Sequence, residues 1–138
     1  MRQVVFKKSA NFLTTVFNNK VSFLLTQFEK KANFSNAIFN KNSDVEFHEI
    51  NFKGDTAWKG TQFLGETYFS NSEFHGGNDF MDTKFSGFTS FEEHNHLVNS
   101  KKNIFHNDTL FHSVKFLGNT ALKECIFNGG LSFCNITI

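Results

Sequence analysis

The sequence predicts an all-β fold: a solenoid of short strands wound around a core of phenylalanine rings. Three observations carry that reading. Of 138 residues, 21 are Phe and none is Pro. Twenty of those Phe fall on a single count that alternates steps of five and six. Gly or Asn then recurs two residues behind many of them. Average globular usage does not produce such a bias, and a fixed period is the mark of repeat architecture.

The count opens at Phe6, Phe12, Phe17, Phe23, Phe28, Phe34 and Phe39. After a step of eight it resumes at Phe47, Phe52, Trp58, Phe63, Phe69, Phe74, Phe80, Phe85 and Phe91, and then reaches His96. After a step of nine it runs through Phe105, Phe111, Phe116, Leu122, Phe127, Phe133 and Ile138, and only Phe88 stands outside the series. An 11-residue period also suits a supercoiled helix. That reading fails, because residues five apart on a helix point about 140° away from each other and form no stripe. Phe, Asn, Thr and Gly are also indifferent or poor helix formers.

On a strand, the residue two before each anchor shares its face. Those positions hold mostly small or β-branched residues, as in Ala32, Ala37, Val45, Thr56, Thr61, Thr67, Ser72 and Thr83. Each strand therefore offers one large and one small side chain inward, while Gln62, Glu73, Asp79 and Lys84 face out. An odd step turns the next Phe to the opposite face of a straight strand, so the chain must bend at every step. The residue two after each anchor is the expected bend: Asn19, Asn36, Gly54, Gly60, Gly65, Asn71, Gly76, Gly87, Asn107, Gly118, Gly129 and Asn135. Gly and Asn tolerate the positive φ that tight turns need.

Equal sides stack on equal sides only if each coil has an even number of steps. Two sides would give a circuit of ~36 Å at ~3.3 Å per residue, too tight for two inward rings. Four sides make about six coils and a rod of roughly 29 Å at ~4.8 Å per coil. Pro would delete a ladder donor, which accounts for its absence. A single domain over 1–138 is expected, with insertions near 40–46 and 92–104.

The residues ANFSNAIF (32–39) resemble the pentapeptide-repeat proteins, whose unit runs small residue, Asn or Asp, Leu or Phe, then two variable positions. The stretch FKGDTAWKGTQF (52–63) is similar to the Phe-centred branch, in which every other step gains a residue. The resemblance covers nearly the whole chain. It implies a right-handed quadrilateral β-helix with the central Phe and the small residues inside. For function it implies less. Some members bind type II topoisomerases as acidic DNA mimics and give protection from quinolones, whereas most have no assigned role. This chain departs from those binders: it is near neutral, Phe replaces the commoner Leu, and no C-terminal helix of the dimerising kind is evident.

The formal net charge is +1, but its distribution is uneven. Residues 1–41 hold Arg2, Lys7, Lys8, Lys20, Lys30, Lys31 and Lys41 against Glu29 alone, a balance of +6. Residues 42–99 hold ten acids against three lysines, a balance of −7. The lysine-rich third suggests nucleic acid. A solvated solenoid face is the better reading, because the aromatics are expected inside and out of reach for base stacking.

The densest polar cluster is FEEHNHLVNSKKNIF, 91–105. Its Glu92, Glu93, His94 and His96 include a His-x-His pair with metal-ligand character, although the plainer reading is a loop where the repeat lapses. NKNSDVE, 40–46, reads as a bulged corner, with a partner-binding loop as the sharper alternative. Catalysis finds no support, since a nucleophile needs a base and a pocket, and here the interior is filled with Phe. No cofactor is expected. Cys125 and Cys134 lack disulfide-framework or C-x-x-C spacing and read as packing residues. With neither a secretory signal nor an apolar span, the expected setting is cytoplasmic. The last coil, LSFCNITI, shows no obvious cap, so pairing with a second copy through that coil is expected, unless the chain is a module of a longer protein. The functional expectation is a non-enzymatic scaffold for a protein partner, with a topoisomerase-binding DNA mimic as the alternative.

Overall fold

The computed structural model describes residues 3–92, 101–123 and 125–138. Among them every regular element is a strand of two to four residues, and the strands stack into four parallel sheets. The first face holds Val5–Phe6, Gln27–Phe28, Asn51–Phe52, Glu73–Phe74, Ile104–Phe105 and Ile126–Phe127. The second holds Ala10–Asn11, Ala32–Asn33, Thr56–Ala57, Asn78–Asp79, Thr109–His112 and Leu131–Cys134. The third holds Val16–Phe17, Ile38–Phe39, Gln62–Phe63, Lys84–Phe85 and Lys115–Phe116. The fourth holds Val21–Leu24, Val45–His48, Thr67–Ser70, Thr89–Ser90 and Thr120–Ala121. The result is a parallel β-solenoid of about six coils, four sides to a coil. No helix among the described residues is long and apolar enough to cross a membrane.

Each strand pairs with its counterpart one coil away, Phe on Phe: Phe6 with Phe28, Phe17 with Phe39, Phe23 with Phe47. Four columns of rings result. Along the first face the centroids of Phe28, Phe52, Phe74 and Phe105 follow one another at 4.9, 4.9 and 4.4 Å, with planes within 19° of parallel. Rings from opposite faces meet edge to face across the solenoid, as Trp58 of the second face does with Phe47 (5.3 Å, 84°) and Phe69 (5.6 Å, 88°) of the fourth. Both geometries suit the aromatic quadrupole, and burying one such side chain is worth ~1.5–3 kcal/mol.

The anchor-minus-two positions are inside as well, and most of their polar groups are met, Thr67 Oγ1 being an exception. Thr61 Oγ1 donates to Phe34 O (2.7 Å) and Thr83 Oγ1 to Trp58 O (2.8 Å), each tying one coil to the one before. Asn78 stands between Thr56 and Thr109, its Oδ1 accepting from the first and its Nδ2 donating to the second. Trp58 is fully buried between Phe34 and Phe80, and its indole N–H donates to Thr56 Oγ1 at 2.9 Å. It is the largest core ring. At the ends only one coil covers the rings, so Phe6, Phe12, Phe17, Leu122 and Phe127 are half-buried and Phe133 is 48% exposed.

Two details differ from the sequence count. First, Phe91 lies beside Phe69 on the fourth face, and Phe105 pairs with Phe74 on the first. These are consecutive faces. His96, counted from sequence between them, lies outside the described residues together with Glu93 and His94. The chain between Phe91 and Phe105 lengthens that coil to the 31 residues separating Glu73 from Ile104.

Second, Gly and Asn do not mark positive φ uniformly. Among the described residues, left-handed backbone follows the second and fourth faces only, at Thr14, Leu25, Asn36, Glu49, Gly60, Asn71, Asp82, Ser113 and Asn135 (φ 52–69°), besides Gln3. These are the five-residue corners. Several close as type II turns, with Ala37 N–H donating to Phe34 O (3.0 Å) and Thr61 N–H to Trp58 O (2.9 Å). The six-residue corners reach the next face with an extra residue and no left-handed one. There glycine answers to crowding: a Cβ on Gly76 would lie 2.5 Å from Asp55 N and from Gly54 C.

Adjacent glycines separate these causes. Gly76→Ala is expected to destabilise by ~1–3 kcal/mol through overpacking against backbone, whereas at Gly77 a Cβ meets nothing nearer than 3.8 Å. Thermal melting of the two variants checks this; equal melting points would remove the crowding explanation.

Candidate functional site

Outward side chains occupy the positions just before and just after each anchor, so they too form ladders. On the first face the ladder after the anchors reads Lys7, Glu29, Lys53, His75, His106 and Asn128. Lys53 turns toward Glu29, with Nζ to Oε1 at 3.1 Å, and that hydrogen bond holds the Glu29 carboxyl below its usual range. The next two rungs are imidazoles. Because Phe105 sits over Phe74, His106 sits over His75, and their rings stack at 4.5 Å with 8° between planes.

Glu73 completes the cluster. It precedes Phe74 as His75 follows it, so the two share the outer side of one strand. Its Oε2 lies 3.3 Å from His75 Nε2 and 3.4 Å from His106 Nε2. The three side chains are each between 35% and 39% exposed. Two imidazoles and a carboxylate converging on one outer spot can share protons or hold a cation.

The sites expected from sequence lie elsewhere. His94 and His96 fall outside the described residues; Glu92, which leads into that segment, takes a backbone hydrogen bond from its N–H to Ser90 Oγ (3.1 Å). The segment's return is fixed by Asn103, which is buried: its Nδ2 donates to Phe69 O (2.6 Å) and Phe91 O (2.5 Å), and its Oδ1 accepts from Ser72 N–H (2.8 Å). NKNSDVE is a filled corner. Ser43 is wholly buried, its Oγ donating to Phe17 O (2.9 Å), while Glu46 pairs with Lys20 at 2.7 Å and that bond raises the Lys20 pKa.

The basic third divides. Lys7, Lys8, Lys30 and Lys31 cluster about the corner after the first face, and Lys20 and Lys41 about the corner after the third, on the opposite side of the coil. Phe88, outside the repeat, packs its half-exposed ring on Tyr68 at 5.9 Å; the Tyr68 hydroxyl donates to Glu66 Oε2 (2.5 Å), which pushes its pKa up to about 12.

Sequence reasoning missed Glu73, His75 and His106. The signal available was E-F-H at 73–75 with F-H at 105–106, a pattern that E-F-H at 46–48 and F-H at 111–112 share. Treating His96 as an anchor moves Phe105 to the second face and separates His106 from His75.

In comparison with known proteins, the family model for pentapeptide repeats (9 copies) aligns with residues 42–80. No curated protein and no solved structure matches the chain.

The cysteines separate in reactivity. Cys125 is half-buried, its Sγ 3.0 Å from Phe91 O, and burial pushes the thiol up to about 11. Cys134, read from sequence as a packing residue, is exposed, because it follows Phe133 on the outer side of the strand. The thiolate is the reactive form. Iodoacetamide near neutral pH is expected to modify Cys134 first and Cys125 only on unfolding or well above pH 9; peptide mapping showing equal rates would contradict the assigned burial.

Proposed function

Because this chain is a pentapeptide-repeat protein, we propose that it works as a non-enzymatic β-solenoid scaffold holding a protein partner against its outer faces. The observation that supports this most is the division of side chains. Rings and hydrogen-bonded Thr, Ser and Asn fill the inside, while charged groups stand on outward ladders of near-constant spacing. Flat ladders suit recognition of a broad surface; they lack the concave, water-excluding pocket that covalent or acid–base chemistry uses. A cytoplasmic setting belongs to the same reading.

A second reading, DNA mimicry toward a type II topoisomerase, rests on the acidic segment 42–99. Its carboxylates run around the rod: Glu46 on the fourth face, Glu73 on the first, Asp79 on the second, with Asp55, Glu66 and Asp82 at corners. A girdle favours the mimic less than an acidic stripe along the rod would, and the first two coils are basic.

The test is affinity capture from the native cell with the wild-type chain and a variant carrying Asp79→Lys and Glu46→Lys. One partner should be retained by the wild type and lost by the equally folded variant. Capture that ignores outer-face charge, or none at all, would count against the scaffold reading. A gyrase supercoiling assay separates the second reading, which fails if excess protein changes nothing with or without a quinolone.

A further inference from the structure

We propose that Glu73, His75 and His106 form a surface site for a divalent transition-metal ion of the zinc class. The inference does not depend on the scaffold reading. Zinc bound to imidazole and carboxylate keeps bonds of about 2.0–2.2 Å in a tetrahedron, whose ligand atoms then stand roughly 3.4 Å apart. Glu73 Oε2 already lies 3.3 Å and 3.4 Å from the two Nε2 atoms, and all three ligand atoms fall within 4.8 Å of one another. The remaining edge lies between the stacked rings, and turning two part-exposed imidazoles about their soft terminal torsion closes it.

The backbone beneath is fixed before any ion arrives. Glu73 and Ile104 are aligned partners, as are Phe74 and Phe105, so the two strands carrying the ligands cannot slip without unstacking the ring column. The nearest lysine on the ladder, Lys53, is drawn away from the cluster to Glu29. Two nitrogens and one carboxylate suit zinc, copper(II) or nickel(II) rather than calcium or magnesium, which take oxygen ligands in larger number. The fourth position would face solvent, where water or a group from another molecule completes the shell.

The test is zinc titration of the full chain by isothermal calorimetry, beside the double variants His75→Ala/His106→Ala and His94→Ala/His96→Ala. Circular dichroism melting checks that each variant is folded. The wild type and His94→Ala/His96→Ala should each bind one zinc at the site. His75→Ala/His106→Ala should weaken it more than ~100-fold, beyond the roughly 10–100-fold that loss of an outer-shell partner brings. No zinc binding by the wild type, or binding that survives His75→Ala/His106→Ala, overturns the proposal.

Discussion

Ring-on-ring register between successive coils is the constraint on which the rest of this structure depends. Each strand is only two to four residues long and offers too few ladder hydrogen bonds to hold its place alone. The stacked columns fix the alignment instead. A slip by one residue would turn Phe63 outward and Gln62 inward, exchanging a buried ring for an unmet amide. The nearest-neighbour character of the solenoid follows, since every coil is stabilised chiefly by the two it touches.

That constraint also explains what was legible in the sequence. The four faces, the inward Phe and the small residues two before them could be read, because an interior with one repeated geometry imprints one repeated pattern. Trp58 and its neighbours Thr56, Thr61 and Thr67 lie where the count puts them. The corners were legible only in part. Glycine serves there for two different reasons: at Gly60 it adopts left-handed backbone, and at Gly76 it leaves room for the coil beneath. Residue type alone does not distinguish these, although step length does, five residues after Trp58 and six after Phe74, and Leu25 and Glu49 adopt positive φ with no glycine to announce it.

The register across the second insertion was not legible. His96 fits a five-residue step after Phe91, and nothing local to the sequence says that the next inward ring is Phe105. Long-range pairing decides it. Asn103 marks the point of return, its amide bridging Phe69, Phe91 and Ser72 from a position where other coils carry Thr26, Ile50 or Cys125. The cluster of Glu73, His75 and His106 exists only in this register, whereas the His-x-His spacing visible in the sequence is that of His94 and His96. Outer ladders thus inherit their chemistry from the core: two histidines far apart in sequence become neighbours because two phenylalanines stack beneath them.

The register is therefore the claim to test, and disulfide trapping tests it most directly. In a chain with Cys125 and Cys134 replaced by Ala, Asp79→Cys and Leu110→Cys occupy aligned positions on adjacent strands of the second face. Their Cα atoms, about one strand spacing of 4.8 Å apart, are within disulfide reach. The account predicts that this pair oxidises to an intramolecular bridge, seen by mass spectrometry of a non-reduced digest, while Asp79→Cys with Ile104→Cys does not. Bridging of the second pair in place of the first would put His96 on a face and contradict the register.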